Sequence, residues 1–404
     1  MKRVAIVGGG FSGLASGFFL SQSGHQVTVL EKSSEVGGLI RTLSTPAGLV
    51  ETAANGFLNS ALWESVFEAL GLSLTFPSRH SRARYIFRSG LRRWPLGYGE
   101  TLGLVIRLVL RLIFSKASFR PEGGETIEQW GRRVLGLAAT RFLLIPGLGG
   151  IYAGDPGQMS ASLIIGSFAK KARSKPRKRG LASGEKGMGQ VLEAFAEYIK
   201  KNGGQIHTGR QVLEIKELLR DYDHVVLACG PHGAAELLKE MAPGTAQKLS
   251  QITGLPILSV ALGFPAETIA PKGFGVLFPR DQGIRALGSL FSSCIFEGRS
   301  RGRLETWIYG GGTDPEILDL SDSFLIEQVV ADRMKVLGHR EEPTFTRIQR
   351  WPISIPHYDL NLERILASPL ALPDRVRLVG NYLGGIGLSK ILEQAKQLSQ
   401  EIDA

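Results

Sequence analysis

Apolar and polar positions follow two different periods along the chain, and the change of period marks its organisation. Val4-Ala5-Ile6-Val7 is a short continuous apolar run, which predicts a buried strand. Residues 14–22 have helical spacing, and 26–30 form a second strand closed by Glu31. Leu49-Val50 reads as a short strand and 60–70 as a helix. Tyr85-Ile86-Phe87 reads as a strand with Ser89-Gly90 as its hairpin turn. A helix is expected at 191–201, stopped by Asn202-Gly203-Gly204, with strands at 205–207 and 211–215. Residues 223–229 (DHVVLAC) form a buried strand that returns to the first sheet, and 233–241 a helix. From 257 to 312 the pattern becomes strands alternating with turns, which predicts a mixed, largely antiparallel sheet. A helix at 320–337, strands at 345–351 and 377–381, and a closing helix at 388–402 complete the pattern.

The fold class is therefore α/β and α+β, with three units. A Rossmann-type dinucleotide-binding domain is expected from 1–78, 181–250 and 375–404, a mixed-sheet domain from 79–89 and 251–374, and a helical domain from 90–180.

The first strand runs into Gly8-Gly9-Gly10-Phe11-Ser12-Gly13, a G-x-G-x-x-G turn. In such a turn Gly8 permits the tight bend, Gly10 lets backbone approach a pyrophosphate, and Gly13 lets helix and strand pack closely. The helix N-terminus then faces the phosphate charge. Glu31 lies 18 residues after Gly13, close to the ~20 expected of a carboxylate that binds ribose hydroxyls. Strand, turn, helix, strand and acid arrive in that order, so the context that a dinucleotide site requires is met. Val36-Gly37-Gly38-Leu39-Ile40-Arg41 adds a second glycine pair and a basic residue. This resembles the flavoprotein extension of the fingerprint, typical of FAD enzymes related to amine oxidases rather than of simple NAD dehydrogenases. The plainer reading is a Gly-Gly loop with a surface arginine. The small residues of Ala53-Ala54-Asn55-Gly56 either admit backbone to a flat ring or form a simple loop. Gly384-Gly385-Ile386-Gly387 is a second strand–glycine–helix unit, whose helix N-terminus stabilises negative charge on whatever it faces.

Composition narrows the classes. At 404 residues and 43% apolar content the chain exceeds one core. Two cysteines, Cys229 and Cys294, make no disulfide framework, and no C-x-x-C or histidine cluster predicts a metal. A net charge of +11 favours anionic partners. Without zinc-finger, helix-turn-helix or RNP-like signatures, nucleic acid ranks last.

Three segments concentrate that charge. Residues 79–94 hold Arg79, Arg82, Arg84, Arg88, Arg92 and Arg93; most are solvated surface, and one or two suit substrate carboxylates. Residues 102–114 (LGLVIRLVLRLIF) are apolar apart from Arg107 and Arg111, and too short to span a bilayer. The segment is either an interfacial helix whose arginines reach lipid phosphates or a core helix with two exposed arginines. The basic run at 170–179 is either lipid-facing or a solvated loop.

With these residues in place, the chain resembles FAD-dependent protoporphyrinogen oxidases among the amine-oxidase-like flavoproteins, over nearly its whole length. Gly149-Gly150-Ile151-Tyr152-Ala153-Gly154-Asp155-Pro156, Gly273-Phe274-Gly275-Val276-Leu277-Phe278-Pro279, Trp351-Pro352 with Ile355-Pro356-His357-Tyr358, and Gly380-Asn381-Tyr382 through Leu388 carry the likeness. It implies that Gly8, Gly9, Gly10, Phe11, Ser12, Gly13, Glu31, Lys32, Gly38, Leu39, Arg41, Ala53, Ala54, Asn55 and Gly56 contact FAD. Val212 would sit by the adenine, and Trp351, Asn381, Ile386, Gly387 and Leu388 by the isoalloxazine. Arg84 would pair a propionate of a tetrapyrrole substrate, with Leu277, Leu290 and Ile308 against the macrocycle. No side chain would be catalytic and no metal bound, since hydride passes to the flavin and then to molecular oxygen. Peripheral contact with an anionic membrane from the cytoplasmic side is also implied; whether the chain forms a homodimer is left open by the residues. Four departures stand out: Ala53-Ala54 where the family has Gly-Pro, Ser389-Lys390-Ile391 where it has Asn-Asp-Cys, His357 where glutamine is common, and a shortened strand hairpin between Val212 and Asp223.

Overall fold

The computed structural model describes residues 1–114, 119–168 and 176–404; part of the basic run at 170–179 lies outside them. Two sheets dominate. The first is five-stranded and wholly parallel, in the order Gln205–His207, Gln26–Leu30 (β2), Arg3–Val7 (β1), His224–Leu227, Val376–Leu378. Its central strands are apolar on both faces because helices cover both, the usual condition of a parallel sheet. On one side Phe11–Gln22 (α1), Met188–Lys201 and Leu388–Asp403 pack into a core holding Leu14, Phe18, Phe195 and Leu392. On the other, Ala5, Val7 and Val225 meet Ala234, Leu238 and Leu249.

The second sheet has seven strands, ordered Phe345–Pro356, Gly254–Phe264, Arg303–Gly310, Gly288–Leu290, Gly275–Leu277, Arg84–Phe87, Leu91–Arg92. Its pairs are antiparallel except that Arg84–Phe87 runs parallel to Gly275–Leu277. Side chains alternate between the two faces. One face is sealed: Phe87, Val260, Val276, Phe278, Trp307 and Tyr309 pack with Leu325 and Val329 of the Asp322–Leu337 helix. The other carries Arg84, Leu277, Leu290, Ile308, Gln349 and Trp351, none fully buried. It is covered in part. Val50 of the Thr42–Thr45/Gly48–Glu51 hairpin lies on Ala261 and Leu304, and Ala153 lies on Ile257, Leu287 and Ile308.

Some expectations need correction. No strand forms at 211–215. Gln211, Leu213 and Glu214 are exposed with no strand beside them, and Ile215–Asp221 is a helix built from good helix formers. The strand near 288 stops at Leu290, and Ser292–Ile295 is a helical turn. The helix at 102–114 begins earlier, as Tyr98–Phe114, and buries no residue, which overturns the core reading. Nor do its arginines point outward. Arg111 Nη2 donates to the Arg133 carbonyl, with Arg107 Nη1 3.5 Å from the same oxygen. Arg133 lies in the last turn of Ile127–Val134, where carbonyls lack intrahelical partners. Leu104 and Leu108 share the inward side, while Leu102, Ile106, Leu110 and Ile113 face out. Among the described residues no helix is long and apolar enough to cross a membrane.

Candidate active site

At the end of β1 the chain turns sharply. Gly8 has φ +112°, a conformation side chains rarely adopt, and a Cβ there would sit 2.9 Å from the Ala228 carbonyl oxygen. Gly13 packs so tightly on the Gly8 carbonyl that any side chain would overlap it. The second glycine pair lies against the first: Gly37 N–H donates to the Gly9 carbonyl at 2.8 Å, and Gly10 and Gly37 form an isolated bridge. A Cβ on Gly38 would lie 3.3 Å from the Gly10 Cα. Two bare backbone turns thus line one cradle. The α1 helix starts above it with Gly10 as N-cap and no side-chain cap. Leu388–Asp403 likewise starts at Gly387 without a cap, and a Cβ on Gly387 would meet nothing within 4 Å. Both N-termini leave N–H groups for an anion.

Glu31, 7% exposed at the end of β2, accepts from Gly9 N–H at 2.6 Å through Oε2 and from Ser33 N–H at 2.8 Å through Oε1. Those bonds fix the carboxylate and leave lone pairs for a further donor. Arg210 N–H donates to the Glu31 carbonyl at 2.8 Å, which brings the segment leading to half-buried Val212 alongside. Lys32 is exposed. Arg41 pairs Glu35 at 3.2 Å, yet its Nε is buried with no hydrogen-bond partner among the described residues. Phe11 contributes backbone only, since its ring packs with Trp63 and Phe195 in the core. The Ser12 carbonyl accepts from Ser16 Oγ at 2.8 Å.

Thr52, absent from the predicted set, ties three predicted stretches together. Its Oγ1 donates to the Leu39 carbonyl at 2.7 Å, its N–H donates to the Arg41 carbonyl at 3.0 Å, and its own carbonyl accepts from Trp351 Nε1 at 2.9 Å. The loop of Ala53, Ala54, Asn55 and Gly56 is therefore held between the second glycine turn and the open sheet face. Gly56 abuts the Ala182 carbonyl, while Ala54 packs on the helical core and Ala53 is exposed. The Asn381 carbonyl accepts from the Tyr358 hydroxyl, which burial pushes above its ordinary pKa. Ile386 and Leu388 are half-buried at the second glycine unit.

Beneath this loop sit Glu51 and Arg299, also unpredicted. Glu51 Oε1 accepts from Met188 N–H at 2.9 Å, Oε2 from Thr42 Oγ1 at 2.8 Å, and Arg299 Nη1 lies 3.7 Å away. Burial raises the Glu51 pKa, against the opposing pull of those bonds and of Arg299. The sequence signals for this pair are the resemblance carried by the stretch from Leu287 to Ser293 with Phe296 and Arg299, and the position of Glu51 next to Ala53-Ala54.

The open sheet face continues from Trp351. Register places Leu277, Gly288 and Ile308 side by side, with Gly275, Leu290 and Thr306 in the next row. Arg84 pairs with Gly275 at the edge of that row; its guanidinium is exposed and lies 5.1 Å from the Phe274 ring centroid. Arg88 instead is consumed by bonds to Glu100 at 2.7 and 3.0 Å. The Ile145–Tyr152 helix overhangs the face: a Cβ on Gly150 would lie 2.7 Å from Leu277 Cδ2. His357 holds the next turn, where Nε2 accepts from Asp155 N–H at 3.3 Å and Nδ1 faces Asp359 at 3.5 Å. Burial lowers its pKa. Among the described residues no group of three or more His, Cys, Asp or Glu converges on a metal position.

The family model described as "Flavin containing amine oxidoreductase" matches residues 11–387. The chain belongs to the flavin containing amine oxidoreductase family. It is similar to the chloroplastic protoporphyrinogen oxidase of Nicotiana tabacum, 27% identical over 98% of this chain and 84% of that protein. It is also similar to the coproporphyrinogen III oxidase of Bacillus subtilis, 24% identical over 98% and 96% of the two chains. Among solved structures, a candidate protoporphyrinogen oxidase from Exiguobacterium sp. 255-15 superposes with a TM-score of 0.80 at 22% identity, covering 99% of this chain and 98% of that one. That likeness concerns the fold.

As a member of this family the chain is an FAD-dependent oxidoreductase, and its residues fit the cofactor. Bare glycine backbone, the uncapped α1 N-terminus and the orphaned Arg41 Nε suit an anionic pyrophosphate, and the uncapped N-terminus at Gly387 suits negative charge on the flavin ring. The Glu31 carboxylate, fixed at the end of β2 by two backbone N–H groups, suits ribose hydroxyls.

Proposed function

We propose that this chain oxidises protoporphyrinogen IX to protoporphyrin IX, a six-electron reaction in heme biosynthesis, with oxygen as acceptor and hydrogen peroxide as by-product. The observation that carries the reading is the open sheet face. A half-buried apolar floor of Leu277, Leu290 and Ile308 has at one edge the Arg84 guanidinium, which among the described residues makes no hydrogen bond or ion pair, and Trp351 at the other leads to the flavin loop. FAD, when bound, supplies the electron sink. The chain's own work is to hold a flat macrocycle, anchor a propionate at Arg84, and exclude water under the Ile145–Tyr152 helix. The domains proposed are those expected from sequence.

The Tyr98–Phe114 helix belongs to the same reading as the contact with an anionic membrane. It buries none of its residues, and Leu102, Leu112, Ile113 and Phe114 are each more than half exposed. Its arginines are turned toward the protein, so apolar insertion rather than charge dominates the attachment. The substrate is a hydrophobic dicarboxylate, and delivery from such a surface suits it.

The decisive experiment mixes the yellow holoprotein with protoporphyrinogen under nitrogen and follows flavin absorbance. Bleaching, with recovery and peroxide on admitting air, is the expected result. A flavin that stays oxidised while fluorescent porphyrin accumulates sinks the proposal.

A further inference from the structure

Two glycine units and one loop frame the cofactor cradle, and a single serine joins the loop to the second unit. Ser389 is the second residue of the Leu388–Asp403 helix, whose N-terminus at Gly387 has no side-chain cap. Its hydroxyl is engaged on both sides. Oγ donates to the Leu58 carbonyl at 2.7 Å and accepts from Trp63 Nε1 at 3.0 Å. Trp63 is fully buried, and its Nε1 has no other acceptor among the described residues. Its ring stacks on Phe57, with 3.7 Å between centroids and 15° between planes. Phe57 and Leu58 directly follow the loop of Ala53, Ala54, Asn55 and Gly56. That loop is thus held twice. Thr52 ties its start to the second glycine turn and to Trp351, and Ser389 ties its end to the last helix.

The same residue carries part of the charge that the helix end presents. The Gly387 carbonyl accepts from Lys390 N–H at 2.9 Å and from Ile391 N–H at 3.1 Å, so those donors are spent. The N–H groups of Gly387, Leu388 and Ser389 have no acceptor among the described residues. No acid stands in the first turn, and Lys390 is exposed and paired with Glu393 at 2.7 Å. Backbone N–H groups, rather than side-chain charge, are what this helix end offers to an anion, and their effect fades within a turn. Ser389 supplies one of those N–H groups, while its hydroxyl fixes where the helix end stands relative to the loop.

A helix end acts on charge through distance. Two electrons and one proton reduce a flavin and leave one negative charge on its ring, so donors held close to that charge favour the reduced form. We infer that Ser389 is a positioning residue: its two hydrogen bonds hold the N-terminus of the Leu388–Asp403 helix against the flavin loop and thereby raise the reduction potential of bound FAD. In the family's Asn-Asp-Cys pattern this position carries an amide instead, so the hydroxyl joint belongs to this chain. This rests on FAD binding, whichever substrate is oxidised.

The test uses the FAD-loaded full chain without substrate. The two-electron potential is read at fixed pH against a reference dye during slow chemical reduction under nitrogen, with flavin content per chain and the urea midpoint alongside. Ser389→Ala is expected to keep its flavin and to shift the reduction equilibrium about fivefold toward the oxidised form, ~20 mV for a two-electron couple. Ser389→Thr, which restores the hydroxyl, is expected to return the potential to that of wild type. Ser399→Ala is the matched control. Ser399 is 3% exposed in the same helix and its Oγ lies 3.0 Å from Ser23 Oγ, so its loss costs stability without moving the potential. Ser389→Cys, which keeps the volume and weakens both bonds, stands in if the alanine variant loses its flavin, with a smaller shift in the same direction. An unshifted potential in the flavin-loaded Ser389 variant, an equal shift in Ser399→Ala, or a failure of Ser389→Thr to restore the potential overturns the inference. No porphyrinogen enters the measurement, so either result leaves the oxidase reading to stand or fall on the bleaching experiment.

Discussion

Replacing Gly8 by alanine separates the cost of backbone conformation from the cost of close approach in the cradle. Two penalties act at Gly8. Its φ of +112° is disfavoured for any residue with a Cβ, at about 1–2 kcal/mol. The new methyl would also lie 2.9 Å from the Ala228 carbonyl oxygen and 3.0 Å from its carbon, both backbone atoms that cannot turn away. Relief requires β1 and the His224–Leu227 strand to part at their C-terminal ends, and overpacking of this kind costs about 1–3 kcal/mol. The total is about 2–5 kcal/mol. Gly24→Ala is the matched control. Gly24 also has positive φ, +80°, but a Cβ there meets nothing within 4 Å, so only the conformational part remains. Gly103→Ala, in the exposed Tyr98–Phe114 helix with nothing within 4 Å, carries neither penalty and gains about 1 kcal/mol of helix propensity. The assay is flavin retained per chain after gel filtration, with the urea midpoint of unfolding alongside. Gly8→Ala is expected to lose most of its flavin and the most stability, Gly24→Ala to keep its flavin with a modest loss, and Gly103→Ala to match or exceed wild type. A Gly8→Ala protein that keeps stoichiometric flavin, with a midpoint no lower than that of Gly24→Ala, refutes the cradle reasoning.

Arg84→Ala is expected to raise KM about fivefold, the equivalent of about 1 kcal/mol for an exposed charge pair, with kcat little changed; an unaltered KM removes Arg84 as an anchor. His357 has a pKa depressed by burial, so the folded protein resists a proton that the unfolded chain takes up near the ordinary value of 6.5. Stability is therefore full above that pH and falls as pH drops below it, and His357→Gln, whose amide oxygen still accepts from Asp155 N–H, should flatten this acid slope; identical slopes in urea titrations would speak against the role. Ile106→Asp with Leu110→Asp, on the outward side of the Tyr98–Phe114 helix, should abolish sedimentation with anionic vesicles that wild type retains at high salt. Salt-sensitive wild-type binding unaffected by the pair points to charge alone.

The uneven legibility of this protein follows from the range of its interactions. The β1–α1–β2 unit could be read residue by residue because everything that specifies it is local. An apolar run, glycines at fixed offsets and an acid at the next strand end all lie within residues 3–31, and the structure returns them at nearly the same boundaries. Alternation in the second sheet likewise states which side chains share a face within one strand. It says nothing about which strand is the neighbour, and here the neighbour of Arg84 is Gly275, joined in parallel across nearly half the chain. That pairing is what turns Arg84, Leu277, Leu290 and Ile308 from scattered residues into one floor, and only the resemblance to known flavoproteins anticipated it. Thr52 was missed for a related reason. A threonine between an acid and two alanines has no pattern of its own, and its weight comes from partners at Leu39, Arg41 and Trp351 that only the fold assembles. The false strand at 211–215 shows the converse error. Its apolar and β-branched residues suit a strand, but such a run becomes one only where another strand waits beside it, and the parallel sheet ends at Gln205–His207.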